Sequence, residues 1–410
     1  VLLNTWEAVY FDHDLATLRA LADVAAEVGV ERFVLDDGWF GGRRDDTAGL
    51  GDWWVSDAAW PDGLSPIVDH VRSLGMEFGL WVEPEMVNPD SDLYRQHPDW
   101  VLATDGYEPV LGRHQLVLDL GRAEVRDHLF DAIDALLTEH EIAYLKWDMN
   151  RDIVHGSRRG RAAVHGHVTG VYQLIDRIRE AHPGLEIESC ASGGGRADLG
   201  ILRRTDRIWT SDCNDAVERQ LIQRGFSMLF PPEVMGAHIG PGRAHTTGRR
   251  QDLPFRAATA LFGHLGIEWN LLQADERQRA LVAAAIGFHR RWRDVLHSGR
   301  TVRVDHPDPS ALVHGVVSDD MRRALFAYVQ LGASPFTVPL PIRFTDLDLD
   351  SMYRIRVVDE LGQPRSGGLT EPSWMTGDVA VTGRQLCERG IQPPILLPET
   401  ILLIELETTS

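Results

Sequence analysis

Tyr144-Leu-Lys-Trp-Asp-Met-Asn-Arg151 is the stretch from which both the fold and the chemistry of this chain can be approached. Its apolar start is typical of a buried β-strand, and its end brings together Lys146, Trp147, Asp148 and Asn150. Such a polar cluster at one strand end is costly to bury unless something binds there. An aromatic ring, polar partners for hydroxyls and a carboxylate able to attack carbon indicate a sugar site. The alternative is an Asp that only caps the next helix.

Outward from this stretch, strand patterns alternate with helical ones through the first two-thirds of the chain. The predicted strands are Trp6–Phe11, Phe33–Asp36, Glu77–Val82, Gln115–Leu120, Ala143–Trp147, Glu186–Ser189, Arg207–Thr210 and Val234–Ile239. The helical periodicities include Leu15–Val28, Arg122–His140, His167–Ala181 and Ala216–Phe230. Strands alternating with helices in this number predict a closed (β/α)₈ TIM barrel. An open doubly wound sheet is the alternative, but no GxGxxG fingerprint opens a strand–helix unit.

The ends of the predicted strands strengthen the barrel interpretation. Many of them run into polar or aromatic residues: Asp36-Asp-Gly-Trp39, Trp81-Val-Glu-Pro-Glu85, Lys146–Asn150, Glu188-Ser-Cys190 and Ser211-Asp212. Barrel enzymes place their chemistry at the C-terminal face of the strands. We therefore expect these side chains to meet at one end of the barrel.

After about residue 300 the pattern changes to short strands separated by turns. The predicted strands are Ala311–Val317, Arg323–Gln330, Phe336–Pro341, Tyr353–Val358 and Ile401–Leu406. They predict a small antiparallel β-sandwich. The expected domains are a catalytic barrel over residues 1–300 and the β-sandwich over residues 301–410.

Composition limits the classes of partner. The 410 residues contain 61 Asp and Glu against 41 Lys and Arg, a formal net charge of −20. This charge argues against nucleic acid or an anionic membrane and fits a small neutral substrate, although acidity also serves solubility. No apolar run is long enough to span a membrane.

Cysteine and histidine spacing gives no sign of a disulfide framework, metal site or cofactor. Cys190, Cys213 and Cys387 lack CxxC or metal-type spacing, so a reducing, cytoplasmic location is expected. His238 and His245 lack ligand spacing as well. We expect an N-terminal part to precede Val1, because the chain opens directly into a strand-like run, so the missing signal peptide means little.

Asp148 and Asp212 are the leading candidates for a catalytic pair. Asp148 can attack an anomeric carbon if Lys146 keeps it ionised, but a buried Lys146–Asp148 salt bridge explains the spacing equally well. Asp212 follows a later strand and is the candidate general acid. Asp215 competes, but it falls in the first turn of a helix, where acidic residues cap amides. A carboxylate pair about 5–6 Å apart would indicate retention of configuration.

Other residues offer sugar-binding groups. Asp36 and Asp37 are adjacent, so both face a ligand only if the strand is distorted at its end; a helix cap or a metal ligand is the alternative. Five tryptophans offer aromatic faces, although a lone Trp is usually core: Trp6, Trp39, Trp53, Trp81 and Trp147. The glycine run Cys190–Arg196 lets the backbone approach a ligand closely. Arg113 can donate to a hydroxyl or lie on the surface.

Taken together, these stretches resemble glycoside hydrolase family 36, the α-galactosidase family. The matching motifs are Asn4-Thr-Trp-Glu-Ala8, Leu35-Asp-Asp-Gly-Trp-Phe40, Gly79-Leu-Trp-Val-Glu-Pro-Glu-Met-Val87, Lys146–Arg151, Cys190–Arg196 and Trp209-Thr-Ser-Asp212. The resemblance implies a retaining, exo-acting α-galactosidase with Asp148 as nucleophile and Asp212 as acid/base. It also implies a galactose subsite lined by Trp6, Asp36, Asp37, Trp81, Arg113, Lys146, Asn150, Cys190 and Ser192. The implied substrates are melibiose- and raffinose-type oligosaccharides.

The sequence departs from the family pattern in three places. Ser211-Asp-Cys-Asn-Asp215 stands where the family usually has Ser-Asp-Asn-Thr-Asp, and Gly266-Ile-Glu-Trp-Asn270 is a variant of a more usual Gly-Tyr-Glu-Leu-Asp type. Family members carry an N-terminal β-sandwich that is absent here and that helps them form homo-oligomers. The alternatives are a galactosyl transferase of the raffinose-synthase kind, a less favoured α-N-acetylgalactosaminidase, or a sugar-binding protein without turnover.

Overall fold

The structure is a computed structural model that describes residues 1–409. Contacts between residues divide the chain into two compact units. The first comprises Val1–Asp212 and Ile267–Gln273, and the second comprises Cys213–Gly266 and the residues from Ala274 onward.

Eight strands form a closed barrel in which each strand neighbours the next one along the chain. They are β1 (Leu2–Asn4), β2 (Arg32–Leu35), β3 (Glu77–Val82), β4 (Tyr144–Trp147), β5 (Glu186–Ser189), β6 (Arg207–Trp209), β7 (Met235–Ile239) and β8 (His264–Ile267). Pairing from β1 to β6 is parallel throughout, for example between Gly79 and Tyr144 of β3 and β4. The predicted (β/α)₈ barrel is therefore confirmed.

Two predicted barrel strands are wrong. Trp6–Phe11 contains a short helix, Trp6–Val9, because the amides of Ala8 and Val9 bond back to the carbonyl of Thr5. Of Gln115–Leu120, only Leu116–Val117 is a strand, and it pairs antiparallel with Met86–Val87 outside the barrel. Gln115–Leu120 is fully buried, whereas Trp6–Phe11 is only partly buried and its Tyr10 is exposed. A short apolar run does not by itself reveal its element type.

The strand that closes the barrel, β8, was not predicted. It contains Gly266, which weakens a strand pattern because glycine has no side chain to pack. The structure explains the glycine: a Cβ at this position would clash with the imidazole of His238. Close packing between strand backbones and side chains therefore hid this strand from a pattern search.

The helices fill the intervals between the strands. They are α1 (Trp6–Val9), α2 (Leu15–Val28), α3 (Ser65–Ser73), α4 (Asp92–Gln96), α5 (Ala123–Glu139), α6 (Val164–Ala181), α7 (Leu199–Leu202), α8 (Ala216–Phe226), α9 (Leu253–Ala260), α10 (Glu276–Ser298) and α11 (Gly383–Glu388). In α2, Asp14 caps the first turn by accepting from the amide of Thr17 at 2.8 Å. The helix ends at Gly29, whose φ of 96° is left-handed. The four predicted periodicities correspond to α2, α5, α6 and α8, with ends that agree to within about one turn.

The C-terminal part of the second unit is a six-stranded antiparallel sheet, as expected for a β-domain. Its strands are β9 (Arg300–Val304), β10 (Ala311–Val317), β11 (Arg323–Gln330), β12 (Met352–Val357), β13 (Val379–Thr382) and β14 (Thr400–Thr408), in the order β9-β10-β11-β14-β12-β13. Its apolar face packs against loop and helix residues that include Ile342, Phe344, Leu386 and Ile391. An isolated bridge joins Ile342 to Ile391 in this layer.

The predicted strand Phe336–Pro341 is wrong, since this segment has no regular structure. Pro339 and Pro341 lack the N–H that a strand ladder needs, so an apolar run alone was a misleading signal.

Candidate active site

A cleft of about 570 Å³ lies where several barrel strands of the first unit end. Its lining residues are Trp6, Phe11, Asp36, Asp37, Arg43, Asp46, Trp81, Arg113, Lys146, Asp148, Asn150 and Asp212. Most of the residues predicted for the sugar site are thus brought together, from segments that are far apart in the chain. The strand-end polar residues do meet at one end of the barrel.

The carboxylate of Asp148 is buried and held by three N–H donors. Its Oδ2 accepts from the indole Nε1 of Trp81 at 3.1 Å and from Nδ2 of Asn150 at 2.6 Å. Its Oδ1 accepts from the amide of Met149 at 2.8 Å. These donors fix the direction of the carboxylate.

Lys146 forms a buried ion pair, but its partner is Asp36. Nζ of Lys146 lies 2.8 Å from Oδ2 of Asp36, and the two side chains are 7% and 4% exposed. The alternative of a Lys146–Asp148 salt bridge is therefore wrong about the partner. Burial alone would lower the pKa of Lys146, but the negative charges of Asp36 and Glu268 outweigh it and raise that pKa well above its usual value.

Asp36 and Asp37 both line the cleft because β2 ends at Leu35, before either of them. The distortion needed for both to face one ligand is therefore present. Arg43 donates to both carboxylate oxygens of Asp37, from Nη2 to Oδ2 at 2.8 Å and from Nε to Oδ1 at 3.0 Å. Burial raises the pKa of Asp37, and the charge of Arg43 only partly offsets that effect.

Asp212 lies directly beyond β6 and opens onto the cleft. Its Oδ1 accepts from Nε1 of Trp209 at 2.9 Å. Desolvation by the surrounding protein raises the pKa of Asp212, and the nearby charge of Asp148 raises it further. A carboxyl group with a raised pKa beside a second carboxyl group is the combination that acid catalysis needs.

Asp215 belongs to the second unit and has the capping role expected of it. It is the N-cap of α8, with Oδ1 accepting from the amide of Val217 at 2.9 Å. It also accepts from Thr247, Arg249 and Gln251. These bonds occupy both oxygens of the Asp215 carboxylate, so its role is structural.

Three further predicted residues lie around this centre. Cys190 is buried; desolvation, with the charges of Asp148 and Asp212, raises the pKa of its thiol well above its usual value. Ser192 is exposed and donates from Oγ to Oδ1 of Asn150 at 3.1 Å. Neither of these two residues is part of the cleft lining, whereas Arg113 is.

Sequence reasoning missed Phe11, Arg43 and Asp46 in the cleft lining. Each lies in an irregular loop, without the strand-end position that marked the other residues. The doubled glycine before Arg43 was the only local signal, and it indicates a turn more readily than a site.

Glu83 and Glu85, just beyond β3, are completely buried, and their pKa values are shifted in opposite directions. Glu83 accepts from the main-chain amide of Asn150 and from Nε2 of Gln115 at 3.2 Å. Desolvation and the charge of Asp148 raise the pKa of Glu83 to about 8.

Glu85 is surrounded instead by cationic and N–H groups. It accepts from Arg196 at 2.6 Å and Trp147 at 2.9 Å and lies 3.3 Å from His167. Burial opposes ionisation, but the charge of Arg196 and the bond to His167 lower the pKa of Glu85 to about 2.

The glycine run after Cys190 packs directly on the segment that carries Asp212. A Cβ on Gly193 would lie 2.6 Å from Cα of Ser211, and one on Gly194 would lie 2.7 Å from the carbonyl oxygen of Thr210. Only glycine permits this approach, so the run is required for packing against this segment rather than for a phosphate.

Among residues 1–409, no group of three or more His, Cys, Asp or Glu side chains is placed to hold a metal ion. Within the same described residues, every helix is too short or too polar to cross a membrane.

Comparison with known proteins identifies a family. Residues 1–299 match the family model described as Melibiase. The chain is 48% identical over 412 residues to an α-galactosidase from Escherichia coli, covering 99% of this chain and 58% of that protein. It is 39% identical over 362 residues to α-galactosidase AgaA from Geobacillus stearothermophilus, covering 87% of this chain and 50% of that protein.

Solved structures agree with this assignment. The α-galactosidase from Lactobacillus brevis superposes with a TM-score of 0.92 at 37% identity, covering 100% of this chain and 55% of that one. A variant of AgaA from Geobacillus stearothermophilus in complex with raffinose gives a TM-score of 0.91 at 34% identity, with the same coverage. The chain thus spans only about half the length of the relatives that it matches.

Proposed function

Because the chain belongs to the Melibiase family, we propose that the protein is a retaining, exo-acting α-galactosidase. The observation that carries this proposal is the pairing of two unlike carboxyl groups in one cleft. Asp148 is fixed by three N–H donors, whereas Asp212 opens onto the same cleft with a raised pKa. The proposed substrates are oligosaccharides with a terminal α-linked galactose, in line with the raffinose complex of the related enzyme.

The proposed reaction has two displacements. Asp148 attacks the anomeric carbon while Asp212 gives its proton to the departing glycosidic oxygen, which leaves a galactosyl ester on Asp148. Asp212, now ionised, takes a proton from water, and the resulting hydroxide attacks the same carbon and releases Asp148. Two inversions give net retention, and Asp212 regains its proton.

The remaining cleft residues are proposed to bind the galactose. Asp36 and Asp37 offer acceptors for hydroxyl groups, and Lys146 and Arg43 hold these two carboxylates in place. Trp6, Trp81, Arg113 and Asn150 complete the subsite, with Ser192 bonded to Asn150 and Cys190 close to Asp148.

The proposal extends to the domain boundary, the oligomeric state and the location of the protein. The family match over residues 1–299 supports a boundary near residue 300 between the barrel and the β-domain. The family resemblance supports a homo-oligomer for the full-length protein. Three free cysteines support a reducing, cytoplasmic location.

A panel of aryl α-glycosides tests the activity, with the product anomer followed by NMR. We expect hydrolysis of the α-galactoside, with α-galactose appearing first, and slow or no hydrolysis of the α-glucoside, α-xyloside and α-N-acetylgalactosaminide. β-Galactose as the first product would refute retention. Binding of the galactoside without turnover would favour the sugar-binding alternative, and transfer to added sucrose in preference to water would favour a transferase.

A further inference from the structure

Asn88 follows the short strand Met86–Val87 and is completely buried outside the cleft lining. Its Oδ1 accepts from the amide of Leu50 at 2.8 Å and from Nη1 of Arg43 at 3.2 Å. Its Nδ2 donates to the carbonyl of His114 at 2.8 Å and to that of Asp46 at 3.3 Å. The side-chain amide is therefore fully used, with two bonds accepted and two donated.

These four bonds join two segments at the edge of the cleft. The first is the rim loop, residues 41–52, which carries the lining residues Arg43 and Asp46. The second is the rim turn, Gly112–Gln115, which carries the lining residue Arg113. Without Asn88, each segment loses a buried partner that the other cannot supply.

The rim turn in particular needs an external support. Arg113 and His114 have φ values of 49° and 61°, a left-handed conformation that is unfavourable for residues other than glycine. Gly112 and Gln115 close the turn with reciprocal main-chain bonds of 3.2 and 2.9 Å. The bond from Asn88 to the carbonyl of His114 ties this closed turn to the rim loop.

We propose that Asn88 is a positioning residue for substrate binding, which sets the rim loop and the rim turn so that Arg43, Asp46 and Arg113 surround the sugar. This inference rests on the proposed glycosidase function. Among the hydrogen bonds described for residues 1–409, none joins Asn88 to Asp148, Asn150 or Trp81. Asn88 therefore makes no direct bond to the groups that hold Asp148, and the rim turn reaches them only at second hand, through Gln115 and Glu83. We expect its loss to act on binding more than on the chemical step.

The test compares Asn88→Asp with Asn88→Ala, and Ser91→Ala is the matched control. Asp has nearly the same shape and keeps both acceptors, but it cannot donate to Asp46 or His114. Ser91 donates to the main-chain carbonyl of Asn88 and caps α4, and neither of these side-chain bonds reaches a rim element. Its loss therefore disturbs the same segment while the four bonds of the Asn88 side chain remain.

Kinetics with an aryl α-galactoside and calorimetry with 1-deoxygalactonojirimycin give the readouts. We expect Asn88→Asp to raise KM and Kd about tenfold, since two hydrogen bonds are lost, with kcat within about threefold of wild type. Ser91→Ala should leave KM and Kd unchanged. An unchanged KM in Asn88→Asp, an equal rise in Ser91→Ala, or a loss confined to kcat would overturn the inference.

Hydrogen exchange in the ligand-free protein separates this inference from the proposed function. Asn88→Ala should speed amide exchange in both the rim loop and the rim turn. Ser91→Ala should speed it near α4, whose first turn bonds to Asp52 of the rim loop, but not in the rim turn. Absence of faster exchange in either rim segment refutes the coupling whether or not the wild type is active. An inactive, non-binding wild type with coupled exchange refutes the α-galactosidase proposal alone.

Discussion

The cleft of the first unit and the C-terminal sheet of the second unit bury side chains of opposite character. In the cleft, Asp36, Lys146 and Asp148 are all at most 6% exposed. In the sheet, most of the buried residues are apolar, such as Phe326 and Leu402, each at 0%. Buried apolar surface stabilises a fold by about 25 cal/mol per Å², whereas a buried charge costs free energy even when it is paired. The comparison indicates that the sheet is built for stability and the cleft for binding and chemistry.

Replacing Asp148 by Asn tests the cleft side of this comparison most severely. We expect kcat for an aryl α-galactoside to fall by about 10⁴-fold or more, because the amide cannot form the covalent intermediate. The melting temperature should stay the same or rise, since one buried negative charge is removed beside Glu83 and Asp212. A large fall in melting temperature would show that Asp148 is mainly structural.

Replacing Asp212 by Asn should have the next largest effect. General acid catalysis is worth about 10²–10⁴-fold, and the loss should concentrate on substrates with poor leaving groups. In the wild type, kcat/KM should fall as the pH rises through the raised pKa of Asp212, because the acid form is lost. The variant should lack this dependence. A uniform loss for all leaving groups would contradict the acid role.

Replacing Phe326 by Ala tests the sheet. Phe326 is fully buried in the apolar cluster and packs edge-to-face on Phe344, with ring centroids 4.8 Å apart. We expect a loss of about 3–5 kcal/mol in the free energy of unfolding, measured by urea denaturation. The kcat of the molecules that remain folded should be unchanged. Phe326→Leu is the control, and its smaller cavity should give a smaller loss.

Glu83→Gln and Glu85→Gln provide a smaller test within the cleft region. Glu83 has a pKa of about 8 in the folded protein, so the folded state binds a proton that the unfolded state loses above its ordinary value of 4.5. The carboxyl of Glu83 therefore lowers stability as the pH rises from about 4.5 to 8. Glu83→Gln should remove that decline, which melting curves across this range can measure.

The contribution of Glu85 to stability changes with pH in the opposite direction. Its pKa of about 2 means that its charge contributes stability above 4.5, which is lost as the pH falls through about 2. Glu85→Gln should therefore lower the melting temperature at pH 7 and lower it less near pH 2. Equal effects of the two substitutions at pH 7 would show that burial alone, and not the neighbouring charges, governs these carboxyls.

The sequence was informative wherever a residue's position along a regular element determined its place in space. Asp148 and Asp212 follow strands of a barrel, so their meeting at one face could be predicted from the order of elements. Arg43 and Asn88 could not be predicted this way, because irregular loops and contacts across 45 residues place them. The ion pair of Lys146 with Asp36, 110 residues away, was missed for the same reason.

Errors in the fold had a related cause. Gln115–Leu120 is apolar because it is buried, and Trp6 and Phe11 are aromatic residues that line the cleft. Strand β8 looked irregular because Gly266 makes room for a neighbouring ring. In each case, the tertiary environment decided the local composition. Pattern reasoning depends on local composition. It therefore predicted the observed number of barrel strands but assigned two of them to the wrong segments.

The buried thiol of Cys190 has a consequence for the chemical durability of the protein. Thiols react with alkylating agents and oxidants as thiolates, and desolvation together with two nearby carboxylates keeps Cys190 protonated. A sulfur atom can therefore sit beside the reacting centre without becoming a target for peroxide or iodoacetamide. Oxidative inactivation of this protein should begin elsewhere, and reducing agents should not be needed to preserve its cleft.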